Sequence, residues 1–559
     1  MIMKKYYGEK ITLVFLLTMF LGLFTGCRKS DDPLEPIDVD EQENGFLSDD
    51  TLVFRGEQTK VLTLTPQSDA AWNYEISDYF FKWFDVGPWY GYLDNGESAS
   101  VSVESDFYML QPDVIYEDFF VVSSTFGVDT VVVIGHPDTQ IRQYAPDVVY
   151  FPSGEDCQRV AVTKFVDESM SYSVVSSSAY VRLSASEGNM AKEQVKAWFS
   201  VSIDRDAILN SNVQPELYVS IDGTTDTIAL EIDRAMRLPS SVIDAEYAKS
   251  EDVLVYVAED ATLGIYHPET RCIDVVQLSY PPLSVSVSQD GTKAIVGHAD
   301  HATYVDLQTK RILTENEIQR SAEDIVMGTN GWAYAFRKYM GGDRIYCFDA
   351  SVPNSVGSLH TGDWGFGGTK AKMHPSGKYI YGAINGLSSA NIEKYDIQNG
   401  VAEYLYESSI GGLGGDLWFS EDGNRLYTRS GIVLKISENQ EHDMYYNGTI
   451  TIDDGQYSHG FSWIDHLERT QSLFVILGDA NSDKNEPFVY EFNSANLIFR
   501  RQYPLDALMT YHVNGDFMLS TPDPQFVFAN SNGEEIYVLS LETRTYQNTT
   551  FLQTISLGD

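Results

Sequence analysis

Apolar and polar residues alternate in short runs over most of this 559-residue chain. Between residues 46 and 135 the runs are TLVFRG, KVLTLTP, WNYEI, ASVSVES, DFFVVSS and DTVVVIG. Successive side chains of a strand point to opposite faces, so a period of two is typical of strands that are buried on one face. Turn residues separate the runs about every ten positions, and this spacing predicts a small β-sandwich over residues 46–137.

The same plan recurs over residues 144–236, where the runs are DVVYFPSG, QRVAVTKF, SYSVVSS, KAWFSVSID, ELYVSIDG and DTIALEID. The repetition predicts two sandwiches in tandem, each with the immunoglobulin-like plan. Aligning the copies matches Trp72 with Tyr172 and Trp83 with Tyr180. An aromatic residue present in both copies is expected to belong to both cores.

One turn differs between the copies, because the first reads GPWYG where the second reads SASEG. The second copy closes without aromatic residues there, so the fold does not require Trp89 and Tyr90. Two glycines and a proline around them predict an exposed turn, where flat rings could stack on the apolar faces of sugars. The alternative is that both rings pack on a neighbouring domain or on the adjacent Phe80 and Phe81.

From residue 240 to residue 559 the pattern changes to a longer repeat. A glycine turn recurs at Gly291, Gly331, Gly377 and Gly423, with a short apolar strand before each glycine and two after it. Less regular copies lie within 251–276, 472–493 and 526–547, which brings the total to seven. Three recognisable strands and a period of about 46 residues are typical of four-stranded blades, so this region is predicted to be a seven-bladed β-propeller.

These patterns resemble two known families. The tandem sandwiches resemble BACON domains, immunoglobulin-like modules of surface proteins from glycan-degrading bacteria; that resemblance implies carbohydrate association, although such domains also serve as spacers. The repeats resemble YVTN and WD-repeat-like propellers. In the turns Asp290-Gly291 and Asp422-Gly423 the aspartates are interpreted as folding residues rather than catalytic ones.

The N-terminus carries an export signal. Its apolar run ITLVFLLTMFLGLFTG follows three lysines, is short for a bilayer span, and ends at Cys27. The residues LFTGC resemble the lipobox of bacterial lipoproteins, which implies that residues 1–26 are a signal peptide and that Cys27 receives lipid. The alternative is an ordinary secretory signal that happens to hold a cysteine.

Residues 27–45 are predicted to be a flexible acidic tether, since they contain too few apolar residues to offset the entropy of ordering. Lys29-Ser30-Asp31-Asp32 resembles the signal that sends lipoproteins of Gram-negative glycan-degrading bacteria to the cell surface. That resemblance implies an outer-membrane protein that is anchored by lipid and faces the exterior.

The net charge of the chain excludes one class of partner. The formal net charge of -43 would repel nucleic acid, which is excluded as a partner.

Beyond Cys27 the chain has Cys157, Cys272 and Cys347, an odd number without metal-ligand spacing. They are expected to be free thiols packed in strand interiors, with a disulfide as the alternative.

In a propeller the loops after second strands and between blades emerge on one face, where ligands commonly bind. The segments 359–371, 408–416, 450–461 and 506–516 are long and belong to this face. Together with Trp89 and Tyr90, the predicted ligand-binding residues are Asp363, Trp364, Phe366, Tyr457 and His459; Asp453, Asp454, Tyr511 and His512 lie in the same segments. Ordinary loop packing is the alternative for each of them.

Signals for an enzyme are weaker. His298 and His301 have an aspartate between them, but a metal site would need further ligands, and residues 479–490 lack the glycine and the final glutamate of a calcium loop. We therefore expect no metal, no cofactor and no catalytic residue. Paired carboxylates for glycoside hydrolysis stay open, because their separation is a three-dimensional quantity.

The sequence as a whole predicts a lipid-anchored cell-surface protein that captures polysaccharide without covalent chemistry. Its expected partners are a glycan, the outer membrane through Cys27, and a surface protein complex. The alternatives are a propeller glycosidase or polysaccharide lyase, and a protein-interaction scaffold at the outer membrane.

Overall fold

A computed structural model of the chain describes residues 46–558 except for fifteen short gaps: residue 57, 78–81, 95, 108–113, 139–140, 193, 212–213, 319, 338–344, 362–368, 386–389, 452–459, 479–484, 512–516 and 543–548. The predicted signal peptide, Cys27 and the predicted tether therefore lie outside the described residues. The described part holds 47 strands, one α-helix and one 3-10 helix, which confirms the prediction of an all-β chain. None of its helices has the length and apolar character needed to cross a membrane.

The chain divides into two compact units, Met1–Gln140 and Ile141–Asp559. The first unit contains one two-sheet domain, which we call the first two-sheet domain. Its five-stranded sheet has the order β1-β8-β7-β3-β5 and its three-stranded sheet the order β2-β6-β4. The strands are β1 Thr51–Arg55, β2 Thr59–Leu64, β3 Trp72–Ser77, β4 Phe84–Gly87, β5 Tyr90–Leu93, β6 Ala99–Ser105, β7 Tyr116–Ser124 and β8 Gly127–His136. Alternate residues of both sheets meet in one core, which includes Phe54, Trp72, Val101 and Phe120.

The second unit opens with a second two-sheet domain of the same plan. Its sheets have the orders β10-β17-β16-β12-β14 and β13-β15-β11-β9, and the first strand pair of the five-stranded sheet is parallel in both domains. The elements are β9 Gln143–Tyr144, β10 Val148–Phe151, β11 Cys157–Lys164, β12 Met170–Ser176, β13 Val181–Leu183, β14 Glu187–Met190, β15 Lys196–Ile203, α1 Arg205–Ser211, β16 Glu216–Ile221 and β17 Thr224–Ile232.

Strand register corrects the alignment of the two copies. Gly91 lies opposite Tyr74 and Gly188 lies opposite Tyr172, so Tyr172 corresponds to Tyr74 and not to Trp72. The predicted match was wrong by two residues, because a shift of two preserves an alternating pattern. Tyr180 does correspond to Trp83, but it is 42% exposed, so its predicted place in the core was also wrong.

Within the described residues, the rest of the second unit contains seven four-stranded antiparallel sheets and one two-stranded hairpin. Sheets 1 to 3 contain β19 Val242–Ala248, β20 Val253–Ala258, β21 Thr262–His267, β22 Cys272–Gln277; β23 Ser284–Val287, β24 Lys293–Gly297, β25 His301–Asp306, β26 Arg311–Glu317; and β27 Asp324–Met327, β28 Trp332–Phe336, β29 Tyr346–Asp349, β30 Ser358–Leu359. In each sheet the strands pair in chain order.

Sheets 4 to 6 continue the same order. They contain β31 Lys370–Met373, β32 Tyr379–Ala383, β33 Ile392–Asp396, β34 Glu403–Glu407; β35 Leu417–Phe419, β36 Arg425–Thr428, β37 Ile432–Lys435, β38 Tyr445–Thr449; and β39 Phe461–Leu467, β40 Ser472–Leu477, β41 Phe488–Asn493, β42 Phe499–Pro504. The 3-10 helix Gln440–His442 precedes β38, and the hairpin β43 Leu508–Tyr511 and β44 Phe517–Ser520 follows sheet 6.

Sheet 7 is completed by a strand from the start of the region. Its order is β18-β47-β46-β45, with β18 Met236–Arg237, β45 Pro522–Ala529, β46 Glu535–Glu542 and β47 Thr550–Ser556. Tyr247 of sheet 1 stacks on Phe528 and Tyr537 of sheet 7, so the last sheet packs on the first. Sheets that are stacked in a closed circle are characteristic of a β-propeller.

Carboxylates on the innermost strands tie neighbouring sheets together. The side chains of Asp244, Asp324 and Asp465 each accept a hydrogen bond from a backbone N–H of the next innermost strand, at 2.9, 2.7 and 2.8 Å. The recurring glycine turn joins the first and second strands, and Gly291 has a φ of 70°, where glycine is favoured. Asp290 accepts a hydrogen bond from the N–H of Thr292 in that turn, which agrees with its predicted folding role.

Candidate functional site

Exposed aromatic residues gather at one edge of the first two-sheet domain. Trp89, Tyr90 and Tyr92 are 49%, 61% and 86% exposed, and the rings of Trp89 and Tyr90 lie 4.5 Å apart between centroids. Both predicted residues therefore are exposed, while their role in binding stays a prediction. The alternative contact with Phe80 and Phe81 lies outside the described residues.

Tyr92 was not among the predicted site residues. It lies two positions after Tyr90 on β5, an edge strand, so both side chains point to the same outer face of the sheet. The alternation Tyr-Gly-Tyr was a signal in the sequence that could have identified it. We call Trp89, Tyr90 and Tyr92 the aromatic platform.

Hydrogen-bonding side chains lie beside the aromatic platform. Glu75 and Asn73 of β3 lie directly opposite Tyr90 and Tyr92, and both are exposed. Thr125 donates a hydrogen bond of 2.7 Å from its hydroxyl to the Asn73 side-chain oxygen, which fixes the orientation of that amide. Aromatic faces with a carboxylate and an amide at their side suit a ligand that has both apolar faces and hydroxyl groups.

The backbone of the platform is held by contacts below it. Ile76 donates from its N–H to the carbonyl oxygen of Trp89 at 2.7 Å, and the ring of Tyr74 lies directly over Gly91. Beneath β5, Trp72 is buried and donates from Nε1 to the carbonyl of Glu97 at 2.9 Å. The platform is therefore held by a packed strand. Trp89 lies in the bend between β4 and β5, in agreement with the predicted turn, whereas Tyr90 is already part of β5.

The second two-sheet domain has the same backbone arrangement at this edge but lacks the three aromatic residues of the platform. Val174 donates from its N–H to the carbonyl of Ser186 at 2.7 Å, the same bond that Ile76 makes to Trp89 in the first copy. By this register Ser186, Glu187 and Asn189 replace Trp89, Tyr90 and Tyr92. The fold of these domains therefore requires none of the three rings.

The β-propeller region has a cavity of its own, with a volume of about 570 Å³. It lies where second strands end and first strands begin, the face predicted to collect long loops. Its lining residues are Lys370, Asn385, Gly414, Gly415, Asp416, Arg429 and Ser462. Lys370 lies 3.5 Å from Asp324, and the carboxylate of Asp324 raises the pKa of Lys370, so this lysine stays cationic at neutral pH.

The five residues that were predicted to bind ligand on this face cannot be placed there by the structure. Asp363, Trp364, Phe366, Tyr457 and His459 all lie outside the described residues. The same is true of Asp453, Asp454 and His512, and of the side chain of Tyr511. Their convergence on one surface stays a prediction.

The first of the paired histidines, His298, has a structural role. His298 is buried, with Nδ1 at 2.9 Å from the carbonyl of Pro281 and Nε2 at 2.9 Å from the hydroxyl of Thr303. Both ring nitrogens are thus engaged, which leaves no lone pair for a metal. Within the described ranges no group of three or more His, Cys, Asp or Glu side chains could hold a metal ion. Residues 479–484 lie outside those ranges.

The three cysteines of the described part are free thiols, as expected. Cys347 is buried, and burial raises the pKa of its thiol to about 12. Cys157 and Cys272 are exposed, so their predicted packing in strand interiors was wrong. Both stand at the first position of a strand, where the side chain is not covered by the opposing sheet.

No protein-family model matches the chain, and no curated protein matches it either. Solved structures that match include the β-propeller domain of Cps50 (Swd1) from Myceliophteria thermophila, with 11% identity and a TM-score of 0.44 over 58% of this chain and 98% of that one. Hydrazine synthase from Kuenenia stuttgartiensis matches with 15% identity and a TM-score of 0.43 over 57% of this chain and 96% of that one. At these TM-scores neither likeness bears on function.

Proposed function

We propose that this chain is a lipid-anchored surface protein that captures carbohydrate on the aromatic platform of its first two-sheet domain. We also infer that both two-sheet domains are immunoglobulin-like sandwiches of the BACON type and that the seven sheets are the blades of a seven-bladed propeller. The observation that carries the binding proposal is the exposure of Trp89, Tyr90 and Tyr92 on an edge that the second copy builds from serine, glutamate and asparagine.

The energetics of the platform fit a glycan. Covering about 100 Å² of exposed ring surface contributes ~2.5 kcal/mol at ~25 cal/mol per Å². Hydrogen bonds from sugar hydroxyls to Glu75 and Asn73 would orient the chain of sugars without adding much net affinity, because water satisfies the same groups in the free protein. Such a site retains a polymer through repeated weak contacts rather than through one tight pocket.

The platform suits capture rather than turnover. Among the described residues beside it, Glu75 is the carboxylate that faces the rings, whereas glycoside hydrolysis ordinarily uses two. The proposal is therefore that the protein holds polysaccharide near the cell surface and makes no covalent change in it.

The test is native affinity electrophoresis of the full chain, purified in a non-ionic detergent, through gels that contain plant, host or microbial polysaccharides. The variants are Trp89→Ser, Tyr90→Ser and Tyr92→Asn. The first and third install the residues of the second copy, and Tyr90→Ser removes the ring without placing a second carboxylate directly opposite Glu75. Tyr445→Ser is the matched control, since Tyr445 is an exposed aromatic residue of sheet 5. Retardation that the platform variants lose and the control keeps would support the proposal.

Two results of this experiment would contradict the proposal. If no polysaccharide retards the wild-type chain, or if Tyr445→Ser loses retardation as fully as the platform variants, carbohydrate capture on this edge is wrong. A search for a protein partner at the outer membrane would then follow.

A further inference from the structure

The four-stranded sheet of the second two-sheet domain has an unusual charge composition. The whole chain has 81 acidic and 38 basic residues, yet strands β9, β11, β13 and β15 contain four basic residues and no acidic one. Lys164 is buried and donates to three backbone carbonyls, so it belongs to the fold. The other three are Arg159, Arg182 and Lys196.

These three side chains and Trp198 occupy the outer face of the sheet. Arg159 and Arg182 lie opposite Ser200 and Ser202 of β15, and both arginines are exposed. Trp198, on the same face of β15, is 47% exposed. We call Arg159, Arg182, Lys196 and Trp198 the basic face.

Trp198 organises the cations around it. The guanidinium carbon of Arg159 lies 4.7 Å from the centre of the Trp198 ring, and Lys196 Nζ lies 5.4 Å from it. Cation–π contacts of this kind hold a flexible side chain in place while its N–H groups stay directed to solvent. In the described part of the chain, Arg159 and Arg182 form no ion pair and no side-chain hydrogen bond.

The first two-sheet domain again supplies an internal comparison. By strand register Val61, Asp85 and Ser100 stand where the second domain has Arg159, Arg182 and Trp198. Asp85 lies opposite Glu104, whereas Arg182 lies opposite Ser202. The fold is thus compatible with an acidic face at this position, so packing does not explain the basic one.

We propose that the basic face is a second glycan site, one that binds an anionic polysaccharide through its carboxylate or sulfate groups. Arg159 and Arg182 would each present paired N–H donors to an anionic group, and Trp198 would hold Arg159 and offer its open edge to a sugar ring. The inference rests on the proposed function in that the chain retains glycans, and it assigns a different ligand class to a different domain.

The net charge of -43 opposes the approach of any polyanion, as it does for nucleic acid, but it does not decide binding at close contact. Charges farther away than about 10 Å are largely screened at 0.1 M ionic strength, so the local cations decide what the face attracts. Repulsion from the rest of the molecule restricts binding to a ligand that contacts the basic face closely. An anionic membrane is another source of negative charge, and the experiment separates it from an anionic glycan.

The experiment measures binding of the full chain, in non-ionic detergent, to immobilised polygalacturonate, heparin and neutral dextran, and to vesicles containing phosphatidylglycerol. The variants are Arg159→Gln/Arg182→Gln and Trp198→Ser. The control Lys310→Gln/Lys378→Gln removes the same charge from two lysines whose side chains are 45% and 44% exposed and pair with Asp274 and Glu438. The arginine pair variant should weaken binding to one polyanion by about tenfold and reduce its salt dependence, because fewer counterions are released.

The inference is overturned if no anionic glycan binds, if the lysine control weakens binding as much as the arginine variant, or if vesicles bind and glycans do not. Failure of the platform proposal is separate, because Tyr92→Asn should leave polyanion binding unchanged. Conversely, the arginine variant should leave retardation by a neutral polysaccharide on the platform unchanged.

Discussion

The ring of Tyr74 occupies the space that a side chain on Gly91 would need: a Cβ on Gly91 would lie 2.3 Å from Tyr74 Cε1. Tyr172 and Gly188 repeat this relationship in the second two-sheet domain, where the same distance is 2.5 Å. The pair fixes the edge strand on its neighbour in both copies. Only the first copy uses the edge to display aromatic residues.

Gly91→Ala should therefore disturb both stability and binding. The added methyl group forces Tyr74 or β5 to move, which we expect to cost about 1–3 kcal/mol. Gly188→Ala makes the equivalent change in the second copy and should cost a similar amount while leaving binding to the platform intact. Thermal unfolding and glycan titration of both variants check this. An unchanged free energy of unfolding for Gly91→Ala would contradict the packing role given to Tyr74.

Tyr92→Asn should weaken glycan binding at least as much as Trp89→Ser. Tyr92 is the most exposed ring of the platform, and losing its contact area should cost about 1–2 kcal/mol, or roughly tenfold in affinity. The folded state should be unaffected, because the second copy has Asn189 at this position. Isothermal titration with the glycan that retards the wild type measures the effect, and unchanged affinity would remove Tyr92 from the site.

Lys394→Met should destabilise the propeller region. Lys394 and Asp443 form a buried ion pair of 2.7 Å between sheet 4 and the segment before β38, and Tyr381 and Tyr406 also donate to that carboxylate. Removing the lysine leaves a buried charge without its counterion, at a cost of about 3–5 kcal/mol. In denaturant unfolding, adding Asp443→Asn should recover part of the loss, and strictly additive effects would contradict the pairing.

His466→Gln should flatten the pH dependence of stability between about pH 6.5 and 4. Burial lowers the pKa of His466 to about 4, and its Nδ1 accepts a hydrogen bond from the N–H of Glu421 at 3.1 Å. The unfolded chain binds a proton near pH 6.5 and the folded chain does not, so the wild type loses up to ~1.4 kcal/mol per pH unit as pH falls through this window. Denaturant unfolding at several pH values tests this. If the free energy of unfolding changes with pH in the same way for the wild type and for His466→Gln, the prediction is contradicted.

The sequence pattern was sufficient to predict most of the strands and the repeat of the C-terminal region. Period-two alternation and the glycine turns located most strands, because side-chain alternation and turn geometry are local properties. Register is not local: the match of Trp72 with Tyr172 failed because alternation looks the same after a shift of two. The hydrogen bonds of β5 and β14 resolve it.

The functional surfaces were predictable only in part. Trp89 and Tyr90 stood out because a single turn differed between the copies. The basic face could not be found in this way, since Arg159, Arg182 and Trp198 come from three strands and only pairing brings them to one surface. The signal available in the sequence was the presence of basic residues, without acidic ones, in the predicted strands of an otherwise acidic chain.

The most direct test of the central claim is the affinity of the full chain for the neutral polysaccharide that retards it most, measured beside the triple variant Trp89→Ser/Tyr90→Ser/Tyr92→Asn. The account predicts that the triple variant keeps the wild-type unfolding transition and loses binding by roughly seventyfold, which corresponds to the ~2.5 kcal/mol assigned to the ring contacts. Equal affinity in the two proteins, with both folded, would contradict carbohydrate capture by the aromatic platform.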